Sequence, residues 1–316
     1  MPVPQAVGNS GCHGAPVGHY RGNDDNRCGG NMVEEGTIAE RIRDEMSLFT
    51  PTERKAAHVL LANYPIAGLE TVAEFARRAN ISAPTVLRFV GRLGFSGYPD
   101  FQRALREELE KQTQSPLTKA AFRPEGGAGE GEPLARFRDA LIDNIRETFR
   151  HVPAAEFEAV VAALADARRP VHALGGRLSD ALAYHLAAHL RVVRPGVGHI
   201  SGQNANWRDV LIDLGARDVL VIFDIRRYQD DLAVFAAAAA ERGVTVVLFT
   251  DQWLSPVARH ARHVVAARVP VPSRWDSMTA LLGIVEAVVA AVTEAMGETA
   301  VRRISLIEAL RPPASS

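Results

Sequence analysis

Cysteine is scarce in this sequence. Cys12 and Cys28 are the only two in 316 residues. Both fall in a Gly- and Asn-rich N-terminal stretch without metal-ligand spacing, which argues against a disulfide framework or a zinc site. No run of about 18 apolar residues occurs, and the N-terminal stretch lacks the apolar core of a secretion signal, so a cytoplasmic protein without a membrane partner is expected. An excess of either charge is missing too: 36 Lys and Arg face 37 Asp and Glu, leaving a net charge of −1. Global charge therefore selects no partner, and any nucleic-acid surface must come from a local concentration of basic residues. What remains is a 47% hydrophobic, 23% charged chain, the profile of a globular protein with room for two domains.

The pattern along the chain divides it. Residues 1–33 are too polar and Gly-rich to offset the entropy of ordering them and read as a disordered tail, with Met32 a candidate start of the folded protein. Residues 34–111 are helical in period. Residues 112–133, rich in Gly, Pro and Glu, read as a linker. Residues 134–311 begin with two helices and then alternate short apolar runs with amphipathic stretches, ahead of a tail at 312–316. The expected strands are PVHALGG, RVVRP, DVLVIFD, VTVVLFT and HVVAARV. Helices are expected at SDALAYHLAAHL, NANWRDVLIDL, DDLAVFAAAAAERG, SPVARHAR and DSMTALLGIVEAVVAAVTEAM. Apolar strands alternating with helices predict a parallel sheet flanked by helices on both faces, with ligands at the carboxyl ends of its strands.

Within the helical part, Thr50-Pro51-x-Glu53 is a capping-box start, and Thr71 caps a second helix with Val72, Phe75, Ala76 and Ala79 on its apolar side. A third helix starts at Ser82 and stops at Gly94, with only Asn80 and Ile81 before it. Two short helices joined so tightly match a helix-turn-helix, whose second helix enters the major groove. Val86, Phe89, Val90 and Leu93 would face the core, leaving Ala83, Thr85, Arg88 and Arg92 outside. From Thr71 to Arg106 there are six basic residues, among them Arg77 and Arg78, against the acidic pair Glu74 and Asp100, a local net charge of +4. A solvated helical pair in an interaction domain is the alternative reading of that patch.

The stretch SAPTVLRFVGRLGFSGYPDFQ resembles the signature of the RpiR family of bacterial transcription regulators, a Ser-x-x-Thr-Val-x-Arg-Phe helix followed by Leu-Gly-Phe-x-Gly-aromatic and a further Phe. The resemblance implies that Ser82, Thr85 and Arg88 lie against DNA, while Phe95, Tyr98 and Phe101 pack the next turn and helix. It also implies an all-α head followed by an α/β domain of the sugar isomerase (SIS) type. In such domains a Gly-rich turn after the first strand opens a helix whose N-terminus takes an anion; here the matching residues are Gly176, Arg177 and Ser179, with Thr250 at a later strand end. SIS domains that bind sugar phosphates carry a Ser-x-Ser-Gly-x-Thr loop after the third strand. This chain instead has Asp224-Ile225-Arg226-Arg227-Tyr228-Gln229. The expected site therefore uses arginine forks, Arg226 or Arg227 beside Arg177, with Asp224 and Gln229, for an anion of altered shape. A local ion-paired turn is the alternative.

The reading that fits these features is a DNA-binding regulator, homodimeric or larger, with a palindromic operator and a small anionic metabolite as effector. No cofactor or metal is expected. His185 and His189 share a helix face without a third ligand nearby. Two rival functions remain: an SIS-type isomerase, for which Glu241 and Glu286 are the loose general-base candidates, and a dimeric scaffold without ligand.

Overall fold

Threonine capping boxes set the start of three helices in the N-terminal region. The computed structural model of the chain describes residues 36–113, 133–202 and 204–310. The tails expected at 1–33 and 312–316, most of the expected linker, and Met32 lie outside the described residues. The head is built from α1 (Ile38–Asp44), α2 (Pro51–Ala62), the short α3 (Ile66–Leu69), α4 (Val72–Ala79), α5 (Ala83–Arg92) and α6 (Tyr98–Thr113). Thr37, Thr50 and Thr71 each form a capping box, with Glu40, Glu53 and Glu74. A side-chain cap of this kind is worth about 1 kcal/mol. Gln112 and Thr113, expected in the linker, finish α6 instead.

The head's core gathers the residues whose spacing marked them as apolar faces: Phe75, Val86, Phe89 and Val90 are fully buried, and Leu93 nearly so. Phe49 meets Phe89 edge to face at 5.3 Å. Asn80 takes a left-handed conformation (φ 51°) and Gly94 another (φ 85°), so α4 turns into α5 within three residues and α5 turns toward α6 within five.

The remainder of the chain supplies α7 (Pro133–His151), α8 (Ala154–Ala165), β1 (Val171–Gly175), α9 (Asp180–Val193), β2 (Val197–His199), α10 (Asn204–Asp213), β3 (Val219–Asp224), α11 (Asp230–Glu241), β4 (Thr245–Asp251), β5 (His263–Ala267), α12 (Thr279–Met296) and α13 (Glu298–Glu308). All strand pairings are parallel, in the order β2-β1-β3-β4-β5. Side chains alternate between two faces, as a pleated strand requires. Val219, Val221 and Phe223 join a core with α8, α9 and α12, while Leu220 and Ile222 join another with Trp207, Leu232 and Phe235 from α10 and α11. α12 is long and apolar enough to cross a membrane by length and composition, but Leu281, Ile284, Val285, Val288 and Val292 pack it against the sheet.

Two expected elements differ. RVVRP is not a strand: Leu186, Leu190 and Val193 continue the buried stripe of α9 through Val193, and the strand begins only at Val197, after Gly196 turns the chain with φ 70°. SPVARHAR shortens to a 3-10 turn at Pro256–Arg259, because the chain must rise at once into β5. The head and the sheet region are packed together from Gly36 onward. Leu254, Ala258, Val264 and Ala266 complete the head's apolar core. Arg268 donates two hydrogen bonds of 2.9 Å to the Glu40 carboxylate, and His151 Nε2 lies 3.0 Å from Asp44. Burial alone would raise the Glu40 pKa, but the Arg268 hydrogen bonds and charge hold it below the usual value.

Candidate functional site

α5 presents Ser82, Ala83, Leu87, Arg88 and Arg92 to solvent. Thr85 departs from its expected outward position: it is 5% exposed. Its hydroxyl lies 2.8 Å from the Ser82 hydroxyl and accepts from Arg88 Nη2 at 3.1 Å. Ser82 therefore stands at the N-cap position without capping through its side chain. The small Thr85 side chain is drawn inward by this triad, and its contribution is to aim Ser82 and Arg88. Arg77 and Arg88 are exposed, whereas Arg78 is bound to Glu70, and Arg92 donates to the Leu48 carbonyl and lies 3.9 Å from Glu53.

The second site lies where the sheet order reverses. The chain runs from β1 to β2 on one side and reaches β3 on the other, so the loops after β1 and β3 diverge and leave a crevice at their carboxyl ends. Gly175 is required there: a Cβ would fall 2.4 Å from the backbone of Asp180. A cavity of about 610 Å³ opens at this point. Its walls come from three loops, one after β1 (Gly176 to Ser179), one after β3 (Asp224 to Gln229) and one between β5 and α12 (Arg274, Trp275, Asp276 and Met278).

These loops split the arginine pair. Arg226 turns inward and donates through Nε (2.9 Å) and Nη2 to the two oxygens of Asp276, through Nη1 to the Lys111 carbonyl (2.7 Å), and stacks over Trp253 at 4.4 Å. Its neighbour Arg227 has φ 48°, a conformation that favours glycine, and projects outward with its guanidinium 6.0 Å from the Trp275 ring. The expected anion site, Arg226 or Arg227 beside Arg177, thus has one structural arginine and one at the cavity mouth. Among the described residues Arg177, Arg227 and Arg274 form no ion pair, and all three are exposed at the cavity rim.

Of the other expected residues, Gly176, Ser179, Asp224 and Gln229 line the cavity, and Thr250 does not. The Ser179 hydroxyl accepts from Gly176 N–H (3.0 Å) and donates to the Phe223 carbonyl (2.6 Å), so it braces the loop that forms this wall. Gln229 Oε1 accepts from Arg177 N–H at 2.5 Å, filling an amide that an anion cradle would leave open. Thr250 is fully buried, accepts from Ser255 N–H at 3.1 Å, and does not line the cavity. Asp224 lies at the cavity floor, bound by the Ser255 hydroxyl; burial pushes its pKa up to about 7, and nearby Asp251 adds to the rise. Asp251 is itself raised to about 6 by burial while accepting from Tyr228 OH (2.7 Å). Arg274, Trp275 and Asp276 were missed; the signal available was an arginine-aromatic-acid run beyond the last strand, where strand-end loops gather. Glu241 and Glu286 are exposed and outside the cavity. The His185 and His189 rings lie 4.2 Å apart at a tilt of 41°, and among the described residues no group of three His, Cys, Asp or Glu is arranged to hold a metal.

Comparison with known proteins matches both regions. A helix-turn-helix domain of the rpiR family matches residues 36–112, and a SIS domain matches residues 163–291. Over 241 residues the chain is 24% identical to a Haemophilus influenzae protein described as an uncharacterized HTH-type transcriptional regulator, covering 74% of this chain and 81% of that one. It is 27% identical over 243 residues to the bifunctional protein glk of Paraburkholderia xenovorans, covering 75% of this chain but only 35% of that relative's length. Among solved structures, the sugar isomerase domain of an RpiR transcription factor from Sphaerobacter thermophilus superposes with a TM-score of 0.53 at 25% identity, covering 56% of this chain and 98% of that one. A helical head matched to the rpiR model over residues 36–112, joined to a five-stranded parallel sheet matched to the SIS model, places the chain in the RpiR family of helix-turn-helix transcriptional regulators.

Proposed function

We propose that this regulator holds duplex DNA with two copies of α5 and adjusts its grip to a small anionic metabolite, a sugar phosphate or sugar acid, taken into the cavity after β1 and β3. The observation that carries the metabolite half is the convergence of Arg177, Arg227 and Arg274 on one cavity without carboxylate partners among the described residues. Guanidinium forks match carboxylate and phosphate oxygens in pairs and keep their charge at neutral pH. The floor adds little opposing charge, since Asp224 is raised to about 7 and Asp276 is already held by Arg226. The altered loop after β3 and the Gln229 oxygen on the Arg177 amide favour recognition by side chains over the hydroxyl-and-amide cradle.

For the DNA half, Ser82 and Arg88 stand ready on the outer side of α5, and Arg77 adds charge beside them. Two-fold pairing would set the two helices roughly one DNA turn, about 34 Å, apart and give a palindromic operator. A ligand that favours one arrangement of the pair then shifts operator affinity by its difference in binding energy. The test is fluorescence anisotropy of the full chain on DNA flanking its gene, across a salt series and with a panel of sugar phosphates and sugar acids. Salt-dependent binding altered by one anionic class is the expected result; indifference of binding to every fragment at low salt, or turnover of a sugar phosphate, would overturn it.

A further inference from the structure

Arg226 belongs to two places at once. It lines the cavity, and its Nη1 donates to the carbonyl of Lys111, which lies 115 residues earlier in the last turn of α6, the final helix of the head. The last carbonyls of a helix have no partner within it, so an outside donor decides how firmly that end is held. A second tie lies beside the first. Gln112 Nε2 reaches the Trp253 carbonyl at 3.5 Å, and the Trp253 ring carries the Arg226 guanidinium at 4.4 Å. Arg226 is itself fixed from below, its backbone N–H bonded to Asp251 and its fork to Asp276. Asp276 also lines the cavity. At its far end, α6 carries Tyr98 and Phe101, which belong to the same core as Phe89 and Val90 of α5. A helix of this length is rigid over roughly 24 Å.

Building on the anion reading of the cavity, we propose that Arg226 is the coupling residue of this regulator: an anion entering the cavity competes with Asp276 for the guanidinium fork and so alters its hold on the C-terminal carbonyl of α6. Arg177, Arg227 and Arg274 then supply affinity, while Arg226 supplies transmission. The division follows from their environments. The first three are exposed at the rim, whereas the Arg226 side chain is 5% exposed and committed to both Asp276 and the head. An incoming carboxylate or phosphate offers the same paired acceptors as Asp276, and its charge repels that carboxylate. Exchange of partners by the fork therefore requires only a small shift of the guanidinium, yet it changes the support of the helix end.

The experiment is hydrogen exchange by mass spectrometry on the full chain, with inorganic phosphate as the probe, comparing wild type, Arg226→Lys, Arg226→Ala and Arg227→Gly. Without phosphate, both Arg226 variants should speed exchange at the last turn of α6 by about tenfold, the loss of one charge-assisted bond, while Arg227→Gly leaves it at the wild-type rate. With phosphate, the wild type should change exchange at the end of α6 and protect residues 225–229. The Arg226 variants should keep the protection of the cavity loop and lose the response of α6. The relay is overturned if Arg226→Lys leaves α6 unchanged without phosphate, or if both variants pass the phosphate response to α6 undiminished. A different result, phosphate failing to protect the cavity loop in wild type, overturns the anion reading itself and identifies that reading as the part at fault. Arg226→Lys retains the charge over Trp253 and keeps the test readable should Arg226→Ala fail to fold.

Discussion

The outer face of α5 and the cavity above the sheet are both basic, but they are made in opposite ways. The α5 face is a single stretch of chain, and its charges point away from an apolar core that Phe89 and Val90 anchor. The cavity is a meeting of three loops spread over about 100 residues of chain, and its charges are gathered around one opening. A surface of the first kind needs only a stable helix to display it. A site of the second kind needs the whole sheet order, and part of its charge must be satisfied internally, as Arg226 and Asp276 do, for the loops to close without a ligand.

That contrast can be broken from the core outward. The largest effect belongs to Phe89→Ala, which empties a fully buried site against Phe49 and should cost about 3–5 kcal/mol in urea unfolding. DNA binding should fall with it, while near-wild-type stability would show that the head does not rest on this core. Next is Arg268→Ala, which leaves the buried Glu40 carboxylate without its fork and should destabilise by about 3 kcal/mol. Arg268→Lys should recover only part of that, as a single point charge cannot serve both oxygens.

Arg227→Gly separates site from fold more sharply. Relieving a left-handed arginine should leave the melting temperature equal to wild type or raise it by the equivalent of about 1 kcal/mol. Anion affinity, read by calorimetry, should meanwhile drop about tenfold through loss of one charged donor. A loss of stability would mean that the residue is held there by packing instead. Arg88→Ala should weaken DNA binding and lower the log–log salt slope by about 0.9 if it meets one phosphate, whereas a slope unchanged with altered sequence preference would mark a base contact.

The pH response carries a definite sign. Burial raises Asp224 to about 7, Glu108 to about 7 and Asp251 to about 6. Groups with raised folded pKa values stabilise fully below their unfolded values, and that stability is lost as pH climbs through the folded ones. Melting temperature should therefore fall between about pH 4 and pH 7. Asp224→Asn should flatten the upper part of that fall, and an unflattened profile would show that Asp224 ionises without penalty.

Most of the fold was legible because its signals are local. Thr50 and Thr71 announce their helices within four residues, and the β3 run Val219–Asp224 needs only its apolar continuity. RVVRP misled because β-branched residues at the end of a helix have the composition of a strand, and only Leu186 and Leu190 behind them reveal the helical stripe. The glycine turn after β1 and the arginines after β3 were also legible, as strand ends on a parallel sheet. What was hidden was partnership. Nothing adjacent in the chain tells Arg226 that Asp276 waits 50 residues on, or tells Arg227 that its backbone will swing to a positive φ. Arg274 and Trp275 joined the cavity only once the strand order brought the last loop beside the first. Thr85 was misplaced for a subtler reason: helical spacing put it outside, but its hydroxyl satisfies Ser82 and Arg88 better from within.

Gln229 carries one more consequence. Its amide oxygen occupies the Arg177 N–H, so the loop after β1 is closed by a neutral acceptor from the loop after β3. Under the proposed reading, a guest oxygen takes that N–H only by displacing the carboxamide. A charged acceptor would gain by that exchange and an uncharged sugar would not, so the glutamine would set a threshold for entry.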